Sequence, residues 1–394
     1  MTPTGVIATH GTDRWWAWAA SRVVPVAANP RDGRDGPKRR AAPTGPATTV
    51  HNVHSGSAHT VVQAGVVHGD VHVHDGGRTT PVPDDSGWLR SCWAPLAEVE
   101  AAIEMRYLTR PGDSGLDGFL IVRAPGRDRG EAEHRVAALR ARLGVLPSRV
   151  TAAPVTEEAE TRGILTPFRP HGEGVVEVRK RLTVQRTNRD DAHHPWLTAV
   201  TPFGTEHRPW DPLWTELATL PFHAMLSVGL APYAVGPGLR SHLAARAADL
   251  ARLAGQGPPP TGVWSVPRPP DEFARTAHEL ISDAIRRYTD RAFVIRVSLA
   301  AERPIPSFLA ELVATTISAP TANHGFAAAA PVVVRPGPVD LPTAWSNITA
   351  LNFAPWSADT RGGPAEAIGD LERVLGTIVD VDEAAAAFRL PYRT

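Results

Sequence analysis

Six histidines, at 51, 54, 59, 68, 72 and 74, fall within residues 50–74, VHNVHSGSAHTVVQAGVVHGDVHVH. Histidine offers acid–base and metal-ligand chemistry near neutral pH. His72 and His74 stand two apart, so in a strand both rings would share one face, where they could hold a zinc ion. Asp70 is the lone carboxylate available to complete that shell. The run therefore reads as weakly basic side chains on a strand face, and no metal centre is expected. Protonating stacked histidines would place like charges together, so acidification is expected to oppose stacking of this segment. A second acid–histidine group, Asp190, Asp191, His193 and His194, stands before Pro195. It reads as a polar turn, with a metal site or an acid–base pair as the alternative.

Other chemistries lack their residues. No G-x-x-x-x-G-K-[ST] phosphate loop occurs, and Lys180 has no glycine-rich loop before it. The backbone amides and lysine that cradle a nucleotide phosphate are thus missing. No G-x-S-x-G occurs either, and no nucleophile–base pair stands out. No catalytic residues and no cofactor are expected, and the chain is not read as an enzyme. Arg179, Lys180, Arg181, Arg186 and Arg189 form the densest basic stretch outside the N-terminal region. On a strand, Arg179 and Arg181 share a face and could meet DNA phosphates. Glu177 lies on the same face, and a Glu-paired, solvated face is the plainer alternative.

Composition narrows the classes further. Lys and Arg number 41, as do Asp and Glu, so the net charge is zero. That argues against a whole surface built for nucleic acid or anionic membrane. Cys92 is the single cysteine, which excludes a disulfide framework and a cysteine-based zinc site. The tryptophans at 15, 16 and 18 are bracketed by Arg14 and Arg22, a run far too short to span a bilayer. A cytoplasmic chain without a membrane span is expected.

The histidine-bearing run also carries the strongest local pattern in the chain. Valine is nearly its sole aliphatic residue, Gly56, Gly65 and Gly69 punctuate it, and Val71 to His74 alternate with the strand period. High β-propensity, low charge and absence of proline mark segments that stack in register as cross-β, with glutamine ladders and interdigitated valines. An ordinary edge strand docked on the next domain is the alternative, although such edges normally carry the charge or proline that this run lacks. Val62-Gln63-Ala64-Gly65 resembles the Val/Ile-Gln-x-Gly core of the RIP homotypic interaction motif. With its spaced glycines and VVQAGxVxGDVH pattern, the run is similar to bacterial amyloid signalling motifs of actinobacterial proteins. The resemblance implies homotypic contacts through Val61, Val62, Gln63, Ala64, Gly65, Val66, Val67, Gly69, Val71 and Val73. It implies self-assembly and a partner with a matching motif, on a nucleotide-binding receptor or an effector.

The elements around this run set its position. Residues 1–49, with RDGRDGPKRR at 31–40, read as a disordered arm. Residues 75–87 read as a linker, so the motif at 50–74 is expected between two spacers. From Trp88 the chain turns globular. Strands are expected at 119–124, 150–155, 174–184, 223–232, 293–300 and 331–336. Helices are expected at 131–144 with Gly144 as C-cap, at 156–165 capped by Thr156, at 211–220 capped by Asp211, and at 238–255, 272–288 and 307–318. Strand–helix–strand–helix order recurs, so the fold class is α+β, with repeated units forming α/β sandwiches. The proline-rich joint at 257–270 suggests subdomains at 88–256 and 257–379.

Residues 380–392, DVDEAAAAFRLPY, resemble the junction before the motor domain of HerA/FtsK-type ATPases, whose relatives serve conjugation and type IV secretion. That resemblance implies that 88–379 is the accessory N-terminal region of such a system and that 380–394 is a C-terminal helix with the FRLP junction. It also implies a possible ATPase motor as partner, encoded separately or missing from a truncated chain, and leaves DNA binding open. A capped helix that simply ends at a proline is the alternative.

Overall fold

A computed structural model describes residues 4–26, 85–109, 111–112, 115–147, 149–206, 208–259, 266–318, 330–356 and 367–392. The amyloid-like motif, from Val61 to Val73 and throughout 50–74, lies outside the described residues, as do most of the expected arm and linker.

The first correction falls at the N-terminus. Residues expected in the arm form β1 (Val6–His10) and β2 (Trp15–Pro25), paired antiparallel from Val6 with Ala19 to His10 with Trp15. These strands are poor in large aliphatics for a packing reason. Ala17, Ala19 and Ala20 are fully buried, and their small side chains let a helix lie close on the sheet. Gly5, just before β1, stands in the left-handed region at φ +68°, and a Cβ there would strike the Val155 carbonyl. The chain returns in α1 (Asp85–Glu98), which starts inside the expected linker and contributes Trp88, Leu89, Cys92 and Leu96 to the core.

β3 (Ala102–Thr109) and β4 (Leu116–Gly126) form a long hairpin. α2 (Arg129–Leu143) follows, with Asp128 accepting from the Glu131 amide as N-cap and Gly144 as C-cap. β5 (Val150–Pro154) pairs with the second half of β2. That pairing extends to Val155, whose amide donates to Ala20 O. α3 (Glu158–Leu165) therefore starts two residues later than expected, with Glu157 and not Thr156 at its N-cap. The single strand expected over 174–184 is broken into β6 (Val175–Arg179) and β7 (Arg181–Arg186). β7 pairs only with β8 (Trp196–Thr201), in a separate two-stranded sheet.

α4 (Asp211–Ala218) has Pro212 in its first turn and Trp210, not Asp211, at the N-cap. β9 (Ala224–Ala234), α5 (Pro237–Ala254), α6 (Glu272–Arg287), β10 (Arg291–Ala301) and α7 (Ser307–Ile317) agree with the expected elements within two residues. β11 (Val332–Val334), α8 (Leu341–Ala350), α9 (Asp370–Thr377), β12 (Ile378–Val379) and α10 (Val381–Ala387) complete the described chain.

The fold is α+β around one mostly antiparallel sheet, ordered β1-β2-β4-β3-β9-β10-β6-β11, with β5 added on β2 and β12 on β10. β9 and β10 pair along eleven residues, and β3 pairs with β9. Strands on either side of the proline-rich joint are thus hydrogen-bonded neighbours. The expected boundary between 88–256 and 257–379 does not divide the sheet, and the folded region is one compact unit.

Alternation along the strands gives the sheet two covered faces. Met105, Leu120, Leu226, Val228 and Val297 point to one, under α1, α2, α4, α7 and α10. Phe119, Ile121, Met225 and Ala300 point to the other, under α3 and α8. A third cluster joins α5 and α6 to β8 and α9. No helix among the described residues is long and apolar enough to cross a membrane.

Candidate functional site

Lys180 explains the break between β6 and β7. Its side chain turns inward and is 1% exposed. Nζ stands 2.8 Å from Glu383 Oε1, and donates to Tyr288 Oη at 2.8 Å and to the Ile378 carbonyl at 2.6 Å. Glu383 also accepts from the Phe203 amide at 2.8 Å and lies 2.9 Å from Arg287 Nη2. Burial depresses the Lys180 pKa, while Glu383 opposes that shift. Burial also works against the Arg287 charge, but Glu383 and Asp380 outweigh it and hold its pKa above the ordinary arginine value. Burial, reinforced by Glu383, pushes the Tyr288 hydroxyl up.

The expected basic face is corrected accordingly. Lys180 cannot reach a nucleic-acid phosphate. Arg179 donates to Glu177 at 2.6 and 2.8 Å and lies 3.9 Å over the Trp356 ring. Arg181 belongs to the other sheet and donates to Ala330 O at 2.9 Å. The Glu177 pairing proposed as the alternative for Arg179 is present.

The four residues at 190–194 form the expected polar turn. Asp191 receives Arg189 through both carboxylate oxygens at 2.8 Å, which holds its pKa down at about 2. Asp190 pairs with Arg268, and His193 lies 3.1 Å from Asp249. Arg189 also caps the end of α5, donating to the carbonyls of Leu253 and Gly255. A Cβ at Gly257 would collide with that guanidinium. Among the described residues, no group of three or more His, Cys, Asp or Glu side chains could hold a metal. Cys92 is buried, and burial raises its thiol to about 12.

Sequence reasoning missed a second buried ionisable centre, on the sheet face beneath α8. Glu104 lies between Arg106 at 2.6 Å and Arg296 at 2.5 Å, and both carboxylate and guanidinium groups are almost wholly buried. Ser227 accepts from Arg296 at 3.0 Å. The excess positive charge faces helix ends. Arg106 donates to the Ile164 and Leu165 carbonyls of α3 and the Ile348 carbonyl of α8. Arg296 donates to Asn347 O and Asn352 O, and Arg123 to Ala350 O. The carbonyls of Ile164, Leu165, Ile348 and Ala350 belong to last helical turns, which lack intrahelical partners at the negative end of the dipole, whereas Asn347 O also accepts the Leu351 and Asn352 amides. The three arginines therefore fasten α3 and α8 to the sheet. Burial lowers the Arg296 pKa against Glu104 and Glu177. Burial, aided by Arg296, lowers that of Arg123 to about 10. A sequence signal existed: FLIVRA and FVIRVS each place one arginine inside an apolar strand run, where burial demands a partner.

An open cleft of about 180 Å³ lies beside the Lys180 cluster, bounded by Phe203, Gly204, Arg208, Asp283, Arg287 and Ser318. Its walls mix both charge signs, and Arg287 and Asp283 are already ion-paired to each other. The charged side chains thus converge on packing roles in both buried centres. The chain matches no protein-family model and no curated protein.

Proposed function

We propose that this protein is a non-catalytic signalling and scaffold protein that acts in the cytoplasm. Residues 50–74 add to stacks of like segments, and the α+β body is the accessory part of a HerA/FtsK-like system. The observation that carries the reading is the valine, glutamine and glycine pattern at 61–73. β2 and α1, the described elements on either side, are anchored in the body, so the segment sits in an insert and not on a free tail. Stacking would raise the local concentration of the attached bodies, and of whatever they bind. The partner class is a chain with a matching motif, on a nucleotide-binding receptor or an effector.

The test uses the whole chain with a seed of 50–74 peptide fibrils. Wild type is expected to bind thioflavin and pellet with the seed. Gln63→Pro and Gly65→Pro should leave the thermal melt unchanged and abolish co-pelleting. A wild-type chain that stays monomeric with the seed at high concentration would end the proposal.

A further inference from the structure

Residues 380–392 are held to the body by charged groups at both ends, with four small alanines and the buried Phe388 and Leu390 between them. At the first end, Asp380 caps α10 through the Asp382 and Glu383 amides, and the Asp380 and Glu383 carboxylates both reach Arg287. Next come four alanines at 384–387, whose burial brings little apolar area compared with leucine. Phe388 then packs on Trp88 of α1, ring centres 6.0 Å apart. At the second end, Asp85 receives Arg389 at 3.2 Å and the Tyr392 hydroxyl, while Tyr107 donates to the Arg389 carbonyl. Asp85 is wholly buried and is the first residue of α1. It stands where the chain leaves the 27–84 insert and re-joins the body.

We propose that 380–392 is a strap with two charged pins. The Asp85 pin makes undocking of the strap and loosening of the first turn of α1 a single event. A carboxylate at the start of a helix is favoured by the helix dipole. The same carboxylate carries the second pin, and removing one partner of a buried pair leaves the other charge uncompensated. A disturbance at either element is thereby felt at the other, as coupling between sites must be reciprocal. The strap stands on described residues alone. The reading of 50–74 adds only one possible source of tension on α1.

Hydrogen exchange on the full chain tests the coupling in both directions. Asp85→Asn is expected to raise exchange at 388–392, and Arg389→Gln to raise it at 85–91, each by at least about tenfold. Tyr392→Phe, which removes one hydroxyl and leaves the ring, should raise both segments by less. Amides of β9 and β10 should exchange as in wild type. The proposal fails if each substitution loosens only its own side, if Tyr392→Phe leaves both segments unchanged, or if the rise at 388–392 appears only together with a rise across β9 and β10. Because no arm involves residues 50–74, failure here is distinct from failure of the stacking reading.

Discussion

Glu104 stands between two guanidinium groups in a place that water does not reach and offsets one of their two charges. Its removal would leave Arg106 and Arg296 facing each other and the ends of two helices. Breaking a buried ion pair by deleting one partner costs about 3–5 kcal/mol. Glu104→Gln is isosteric and keeps one acceptor, so the lost charge and not a cavity would dominate. Urea unfolding followed by tryptophan fluorescence is expected to show a lower midpoint for Glu104→Gln. The same substitution at Glu158, in the exposed Arg162 pair of α3, should leave the midpoint where it was. Equal midpoints for Glu104→Gln and wild type would remove this centre as the fastening of α3 and α8. At this scale the sequence was legible where a residue's partner is local. Glu177, two positions from Arg179, is the example. It was not legible for Lys180 or Glu104. Glu383, the partner of Lys180, and Arg296, one of the two partners of Glu104, lie far along the chain, and the nearby Arg106 sits with Glu104 in a stretch that carries no strand signal of its own.

Elements with strong periodicity could be read directly. α2, α5, α6 and α7 and the apolar runs of β4, β9 and β10 all stood in the sequence, because each buries one large-residue face or both. β1, β2 and β3 could not be. β2 gains its place through Ala17 and Ala19 on the face covered by α2 and through Trp18 and Ala20 on the face covered by α3 and α8, and β3 hides a Glu and an Arg inside the core. The candidate site divided in the same way. The valine, glutamine and glycine pattern at 50–74 belongs to the sequence itself, whereas both buried ion centres depend on tertiary contact. A sharp expectation follows for β2. It pairs with β4 over nine positions and also carries β1 and β5. Deleting residues 1–25 is therefore expected to abolish cooperative unfolding in calorimetry. Replacing 50–74 by a glycine–serine segment of equal length should leave the melt unchanged, since loop closure stays the same. A well-folded product lacking residues 1–25 would contradict the sheet order.

At the scale of the whole molecule, the proposed stacking meets a geometric limit. Ribbons in a cross-β stack repeat every ~4.8 Å. A body of this length has a radius of gyration of roughly 20 Å, hence a diameter of roughly 50 Å. The chain from His74 to the anchored Asp85 can span at most about 40 Å even when fully extended. Body centres then lie no more than about 65 Å from the stack, on a ring of about 400 Å that seats about eight bodies. One body layer covers about ten ribbons. With one ribbon from each chain, more bodies must be seated than fit, and at ordinary coil dimensions the tether is shorter still. Stacks of this chain alone are therefore expected to stop at short oligomers. Adding free 50–74 peptide, which brings ribbons without bodies, should permit long fibrils. Electron microscopy and densitometry of pelleted material can measure both, and the full-length chain should occupy at most about half of the ribbons when peptide is in excess. Long fibrils of the full-length chain alone, with one body for every ribbon, would refute the limit. Such a limit would favour a partner whose matching motif is attached to a smaller or more distant body, because every such partner inserted into the stack relieves the crowding of the bodies beside it.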